Sequence, residues 1–271
     1  MAIRLVVMDL DGTLLNSDKL ISPHTQAVLE RARAQGCLTT IATGRMHGSA
    51  AYFARESGMN APVISCNGGH VQGLEATTPL FERHLAPPVV RRLLELARRR
   101  GWYLNWYIGD TVYVMGYIED YFYAYRTTKG LKIKAVGDHY ADYTENVIQC
   151  VIRDLEGDVQ SKTAVIEQMF PGGIQAQQNT GTSSDLTPPG VNKAVGVEAL
   201  LRALHIAPSE LMVCGDGDND LAMLDYARRH GGVAVVPANG LPAAKALATC
   251  HVPGNDEDGI ARAIEELVLR H

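Results

Sequence analysis

Apolar residues recur along the chain in two alternating rhythms. Short β-branched runs at residues 3–8, 37–42 and 63–65 are separated by stretches with helical spacing, the clearest being 23–35. Ser22 stands where an N-cap belongs, Pro23 at the first helical position and Gly36 just past the end. The same rhythm returns in the last third of the chain. There the pattern predicts helices at 193–204, 221–228, 242–247 and 259–270, and strands at 211–214 and 233–236. Strand and helix in alternation predict an α/β fold with a Rossmann-like parallel sheet.

Between these two blocks the pattern changes. Tyr103, Trp106, Tyr107, Tyr113, Tyr117, Tyr121, Tyr123, Tyr125, Tyr140 and Tyr143 crowd one stretch, with strand-like segments at 102–107, 111–115 and 147–152. This reads as an α+β domain inserted into the first, spanning 83–188, with 1–82 and 189–271 forming the core. Pro and Gly cluster at both links, 82–88 and 186–190. The basic run 91–101 keeps its leucines at helical spacing, so it reads as a solvated helix face.

Charge and cysteine content narrow the function classes. With 30 acidic against 25 basic residues the net charge is −5, which disfavours nucleic-acid and anionic-membrane partners. Five cysteines (Cys37, Cys66, Cys150, Cys214, Cys250) are odd in number and form no zinc spacing, as expected of buried thiols in a reducing compartment. The start of the chain lacks a signal-peptide pattern, and no apolar run approaches the roughly 18 residues of a membrane span, so a cytoplasmic location is expected.

The strongest chemical signal is the run of Asp9, Leu10, Asp11, Gly12 and Thr13 directly after an apolar strand. At period two both carboxylates leave the strand on one side, at the end where open α/β sheets bind ligands. They repel each other unless a cation or a shared proton intervenes, which allows a metal site or an acid/nucleophile pair. Gly12 lets backbone N–H groups approach an anion. A second acidic cluster, Asp216, Asp218, Asn219 and Asp220, follows the strand at 211–214. Its glycine comes too early for a calcium loop and no Glu closes it, so Mg²⁺ held by a few carboxylates fits better. Two more strand ends add donors: Thr43, Gly44 and Arg45 after one, and Lys193 at the start of a helix, where the dipole adds to its charge.

In combination these motifs resemble the haloacid dehalogenase superfamily. The order and spacing of Asp9-Leu10-Asp11-Gly12-Thr13, Thr43, Lys193 and Gly215-Asp216-Gly217-Asp218-Asn219-Asp220 match its four motifs. The large insert between the second and third is similar to that of the Cof-type sugar-phosphate phosphatases. So are Ser65-Cys66-Asn67-Gly68-Gly69, with Gly69 where Ala is usual, and the ending at 236–267. Ala194 stands where many relatives have Gly, and Asp185 is the nearest match to an upstream Glu.

The resemblance implies an α/β core with an inserted α+β cap that sets substrate specificity, and a mechanism. Asp9 would be the nucleophile, forming an aspartyl-phosphate, with Asp11 as general acid and then base. Mg²⁺ would be held by Asp9, Asp216 and the main-chain carbonyl of Asp11, with Asp220 in the metal set and, with Asn219, orienting it. Thr43 and Lys193 would bind phosphoryl oxygens. Gly12, Gly44, Arg45, Asn67 and Asn219 are expected to contact substrate. The expected function is Mg²⁺-dependent hydrolysis of small phosphorylated metabolites, sugar phosphates foremost. The alternatives are a phosphomutase of the same superfamily and a catalytically idle phosphometabolite-binding protein.

Overall fold

The computed structural model describes residues 2–118 and 129–269. The chain divides into two compact units: Met1–Thr43, Ala50–Phe81 and Asn192–His271 form the first, Gly44–Ser49 and Glu82–Val191 the second. The second unit thus takes in Gly44–Ser49 and runs beyond residue 188.

In the first unit, β1 (Leu5–Met8), β2 (Leu38–Ile41) and β3 (Val63–Ser65) are short strands, almost wholly buried, with β1 apolar throughout. β3 continues into β4 (His70–Gln72) and β5 (Phe81–Glu82), which complete a three-stranded sheet in the order β3-β4-β5. The second unit contributes β6 (Tyr103–Ile108), β7 (Thr111–Val114), β8 (Lys132–Ala135), β9 (Gln149–Arg153), β10 (Gln175–Thr180) and β11 (Ser183–Thr187). The chain then returns to the first unit with β12 (Leu211–Cys214), β13 (Val233–Pro237) and β14 (Cys250–Val252).

The main sheet has the order β14-β13-β12-β1-β2, every pair parallel, and a bridge from Ala42 to Ile64 brings β3 beside β2. Alternation along β1 divides the core. Val6 and Met8 join one apolar cluster with α1 (Pro23–Ala34), α2 (His47–Glu56) and the C-terminal helix Gly259–Leu267; Leu5 and Val7 join another with the helices Lys193–Leu204 and Leu221–Arg229. The chain winds outward through β2 and β3, then restarts at β12 on the other side of β1. The β1/β12 boundary is therefore the topological switch point, where such sheets open a crevice at their carboxyl ends.

The capping signals around α1 hold as read: the Ser22 hydroxyl accepts from the Thr25 N–H at 3.0 Å, and the helix begins at Pro23. The short helix Pro242–Lys245 ends earlier than expected, and Arg270 lies outside the described residues.

The second unit is a six-stranded sheet, β10-β11-β9-β6-β7-β8, antiparallel except for the parallel β7/β8 pair. One face packs α3 (Pro87–Arg100) and α4 (Val159–Met169) around Trp106, whose indole N–H donates to the Tyr143 carbonyl at 2.8 Å. α3 buries Val90, Leu93, Leu94, Leu96 and Ala97 and exposes its arginines, the solvated face read from the leucine spacing. Tyr103, Tyr107 and Tyr140 are buried and Tyr113 lies between Trp106 and Tyr143; Tyr121, Tyr123 and Tyr125 lie outside the described residues. None of the five cysteines forms a disulfide, and no helix among the described residues is long and apolar enough to cross a membrane.

In chain order the remaining helices of the first unit are α5 (Lys193–Leu204), α6 (Leu221–Arg229), α7 (Pro242–Lys245) and α8 (Gly259–Leu267).

Candidate active site

The site lies at the switch point. The Asp9 N–H donates to the Cys214 carbonyl at 2.9 Å, so the loops leaving β1 and β12 start side by side. Oxygens of Asp9, Asp216 and Asp220 lie within 4.8 Å of one another, a grouping able to hold a metal ion. Into it comes Lys193, the first residue of α5, with none of its surface exposed. Its ammonium donates to Asp9 Oδ1 at 2.5 Å and to Asp220 Oδ1 at 2.6 Å. A cation at a helix N-terminus opposes the helix dipole, so these two carboxylates must hold it there.

Local backbone geometry puts each group in place. The Asn192 side chain caps α5 by accepting from the Val195 N–H at 3.3 Å. Gly68, with φ +92°, comes so close to this helix start that a Cβ would run into the Asn192 carbonyl. Asp220 Oδ2 accepts from the N–H groups of Asp216 and Gly217, each at 2.9 Å, folding the β12 loop around itself. The Thr13 hydroxyl donates to Asp216 Oδ1 at 2.5 Å. Asn67, buried and left-handed at φ 52°, donates its N–H to the Thr43 carbonyl at 3.0 Å, and its side-chain oxygen accepts from Asn219 Nδ2 at 3.2 Å.

The electrostatics are those of a site short of positive charge. Three carboxylates face one ammonium, an excess of two negative charges when all are ionised. Burial pushes the Asp9 carboxyl up to about 8 against the pull of Lys193, with Asp220 and Asp216 adding to the rise. Asp216 is raised as well, first by burial. Burial alone would lower Lys193, but Asp220 and Asp9 reverse this and hold it protonated, above the usual lysine range. A divalent cation would offset the excess, and hard carboxylate oxygens suit Mg²⁺. By charge and chemistry the residues fit that ion.

The structure thus gathers Asp9, Asp216, Asp220 and Lys193, and beside them links Thr43, Asn67 and Asn219. The Asp11 carboxylate goes elsewhere, to an ion pair with Lys19 at 3.0 Å in which both side chains are largely exposed. Gly44 and Arg45 fall in the second unit, where the Gly44 carbonyl accepts from Gln149 Nε2 at 3.3 Å. Sequence reasoning gave no role to Lys19 or to the Thr13 hydroxyl. Thr13 was marked only as the last residue of the first motif, and Lys19, six residues further on, not at all.

Gly12 tests the packing of this loop. Its φ is +85° and a Cβ there would overlap the Asp216 carboxylate. Gly12→Ala is expected to lower stability by about 1–3 kcal/mol, read from the urea midpoint, and to reduce turnover with it.

Known proteins share this fold. A family model described as haloacid dehalogenase-like hydrolase matches residues 6–264. A 5-amino-6-(5-phospho-D-ribitylamino)uracil phosphatase of Bacillus subtilis is 28% identical over 268 residues, covering 97% of this chain and 96% of that protein. An HMP-PP phosphatase of Yersinia pseudotuberculosis is 28% identical over 242 residues, covering 89% and 86%. The crystal structure of a haloacid dehalogenase-like hydrolase from Bacteroides thetaiotaomicron superposes with a TM-score of 0.89 at 29% identity, covering 97% of this chain and 99% of that one. With the fold and these matches in agreement, the chain belongs to the haloacid dehalogenase-like hydrolase family, as an enzyme of its phosphatase branch.

Proposed function

We propose that the protein is a Mg²⁺-dependent, cytoplasmic phosphatase of small phosphorylated metabolites, sugar phosphates foremost, acting through an aspartyl-phosphate on Asp9. The observation that carries this reading is the buried Asp9 carboxylate, held by Lys193 within a cluster two negative charges in excess. An Asp9 oxygen attacks phosphorus and the bond to the leaving oxygen breaks as Asp11 gives that oxygen its proton. Asp11 then takes a proton from water, which attacks the same phosphorus, and the Asp9–phosphorus link breaks to release phosphate. Asp11 must leave Lys19 to do this. Thr43 and Lys193 hold phosphoryl oxygens, while Gly12, Asn67 and Asn219 shape the pocket around them. Mg²⁺, held by Asp9, Asp216 and the Asp11 carbonyl, would neutralise charge on the transferring group. Asp220 bonds Lys193 through one oxygen and the Asp216 and Gly217 N–H groups through the other, and with Asn219 would orient this set while standing within reach of the same ion.

Substrate choice is assigned to the inserted unit, together with Gly44 and Arg45. One face of its sheet carries the buried polar side chains of Tyr103, Asn105, Tyr107, Gln149 and Asp185, groups chemically able to bond a hydroxyl- or amide-rich leaving group. The relatives' names suggest which compounds to try first.

Phosphate release is to be measured from sugar phosphates, nucleotides, pyridoxal phosphate, 5-amino-6-(5-phospho-D-ribitylamino)uracil and HMP-PP, with Mg²⁺, with Ca²⁺ and without metal. Release is expected with Mg²⁺ and not with Ca²⁺. Transfer of the phosphoryl group back to sugar without free phosphate would favour the mutase, and binding without turnover the idle protein.

A further inference from the structure

We infer that Asn239, supported by Asn255 and Asp256, is a positioning residue for the loop that carries the nucleophile. None of the three belongs to the four motifs. Asn239 follows β13, and Asn255 and Asp256 follow β14, on the two strands farthest from β2.

Five hydrogen bonds make the connection. Asn239 Nδ2 donates to the Gly12 carbonyl at 2.7 Å, and its Oδ1 accepts from the Asn255 N–H at 3.0 Å. Asn255 Nδ2 donates to the Leu15 carbonyl at 2.9 Å. Asp256 accepts from the Ser17 N–H and from its hydroxyl, both at 2.7 Å. The orientation of the Asn239 amide is fixed by its partners, because only its oxygen can accept from the Asn255 N–H and only its nitrogen can donate to Gly12. Main-chain groups of residues 12, 15 and 17 are therefore held by side chains from two other strand ends.

The bond to Gly12 has chemical content. In a trans peptide the C=O and the following N–H point in opposite directions, and no cis peptide occurs among the described residues. Anchoring the Gly12 carbonyl on Asn239 therefore directs the Thr13 N–H away from Asn239, fixing the aim of a main-chain donor in the loop that follows Asp9, whose Thr13 hydroxyl reaches Asp216. On the phosphatase reading above, on which this step rests, that N–H serves a phosphoryl oxygen as charge develops. Preorganising it removes a reorientation from the chemical step without adding to ground-state affinity.

Asn239→Asp is the decisive variant. It keeps the size and the acceptor for Asn255 while losing the donor to Gly12; Asn239→Ala loses both. Both are expected to lower kcat about 10- to 100-fold with KM within about threefold of wild type, and the Asp variant to keep a wild-type unfolding midpoint. In metal-free protein, amide hydrogen exchange across residues 9–17 is expected to be faster in both. Wild-type kcat or wild-type exchange in Asn239→Asp overturns the inference, as does a loss of activity that only tracks a loss of folded protein. Should wild-type protein release phosphate from no compound, the phosphatase reading fails, and unchanged exchange in the variant then separately rejects the clamp.

Discussion

Asp9→Asn is expected to lower phosphate release at least about a thousandfold and to leave the protein folded. Asn is the same size and keeps an oxygen facing Lys193, which retains Asp220 as its second partner. What it loses is the nucleophilic charge and a metal-binding oxygen. The stability effect follows from the carboxyl's upward shift to about 8 by burial. A carboxyl that titrates higher in the folded than in the unfolded chain costs stability while ionised. That cost is full above pH 8 and fades as pH falls from 8 towards the unfolded value near 4. In the absence of metal, Asp9→Asn should therefore unfold at no lower a temperature than wild type at pH 9, with the advantage shrinking towards pH 5. Added Mg²⁺ should raise the wild-type midpoint and raise the variant's much less, since ligand binding stabilises only the state that binds. A variant that keeps a tenth of wild-type turnover would remove Asp9 as nucleophile.

The same burial explains why the first unit was so readable. β1 and β12 are four-residue runs of Leu, Val, Met and Cys with every residue buried, and only a strand covered on both faces needs such a sequence. The carboxylates then stand out because they break an apolar run at a strand's end. The strands of the second unit obey a weaker rule. β10 reads Gln-Ala-Gln-Gln-Asn-Thr and pairs antiparallel with β11, a polar segment that the apolar pattern along the chain does not mark. That hidden strand pair is why a link was expected at 186–190 although β11 runs through Thr187.

Within the site, groups on separate strands were legible when chemistry required rare residue types together, as for Lys193 with Asp9 and Asp220. Asn239 and Asn255 carried no such signal. They fall in the ending at 236–267, which was noted only for its resemblance, and their partners lie 227 and 240 positions away along the chain. The Asp11–Lys19 pair escaped for a related reason: the loop that brings them together has no periodicity. Asp220 does sit in the carboxylate cluster, as its place in the second acidic run suggested, and its hydrogen bonds to Lys193 and to two backbone N–H groups are what the sequence could not show.

Lys193→Met should show how much of the fold depends on the same charges as the chemistry. Removing one partner of a buried ion pair typically costs about 3–5 kcal/mol, because the other partner is left desolvated and unpaired. Here two carboxylates would be left, those of Asp9 and Asp220, and the loss should sit in the upper part of that range and abolish turnover. It should be greatest at alkaline pH and shrink as pH falls, because each stranded carboxylate recovers by taking up a proton. Asp220→Asn made together with Lys193→Met removes one stranded charge and can keep an amide oxygen on the Asp216 and Gly217 N–H groups, so stability should be restored in part but activity not at all. The coupling between the two substitutions, from urea unfolding of wild type, both single variants and the double variant, should exceed about 1 kcal/mol. Additive effects would mean that Lys193 and Asp220 do not act as one buried unit. Lys19→Met offers the contrast: its pair with Asp11 is largely exposed, so its removal should change stability by less than about 1 kcal/mol. The carboxylate that Lys19 releases is the one the proposed mechanism needs free, which puts the surface pair on the side of proton transfer and the buried triad on the side of holding the nucleophile.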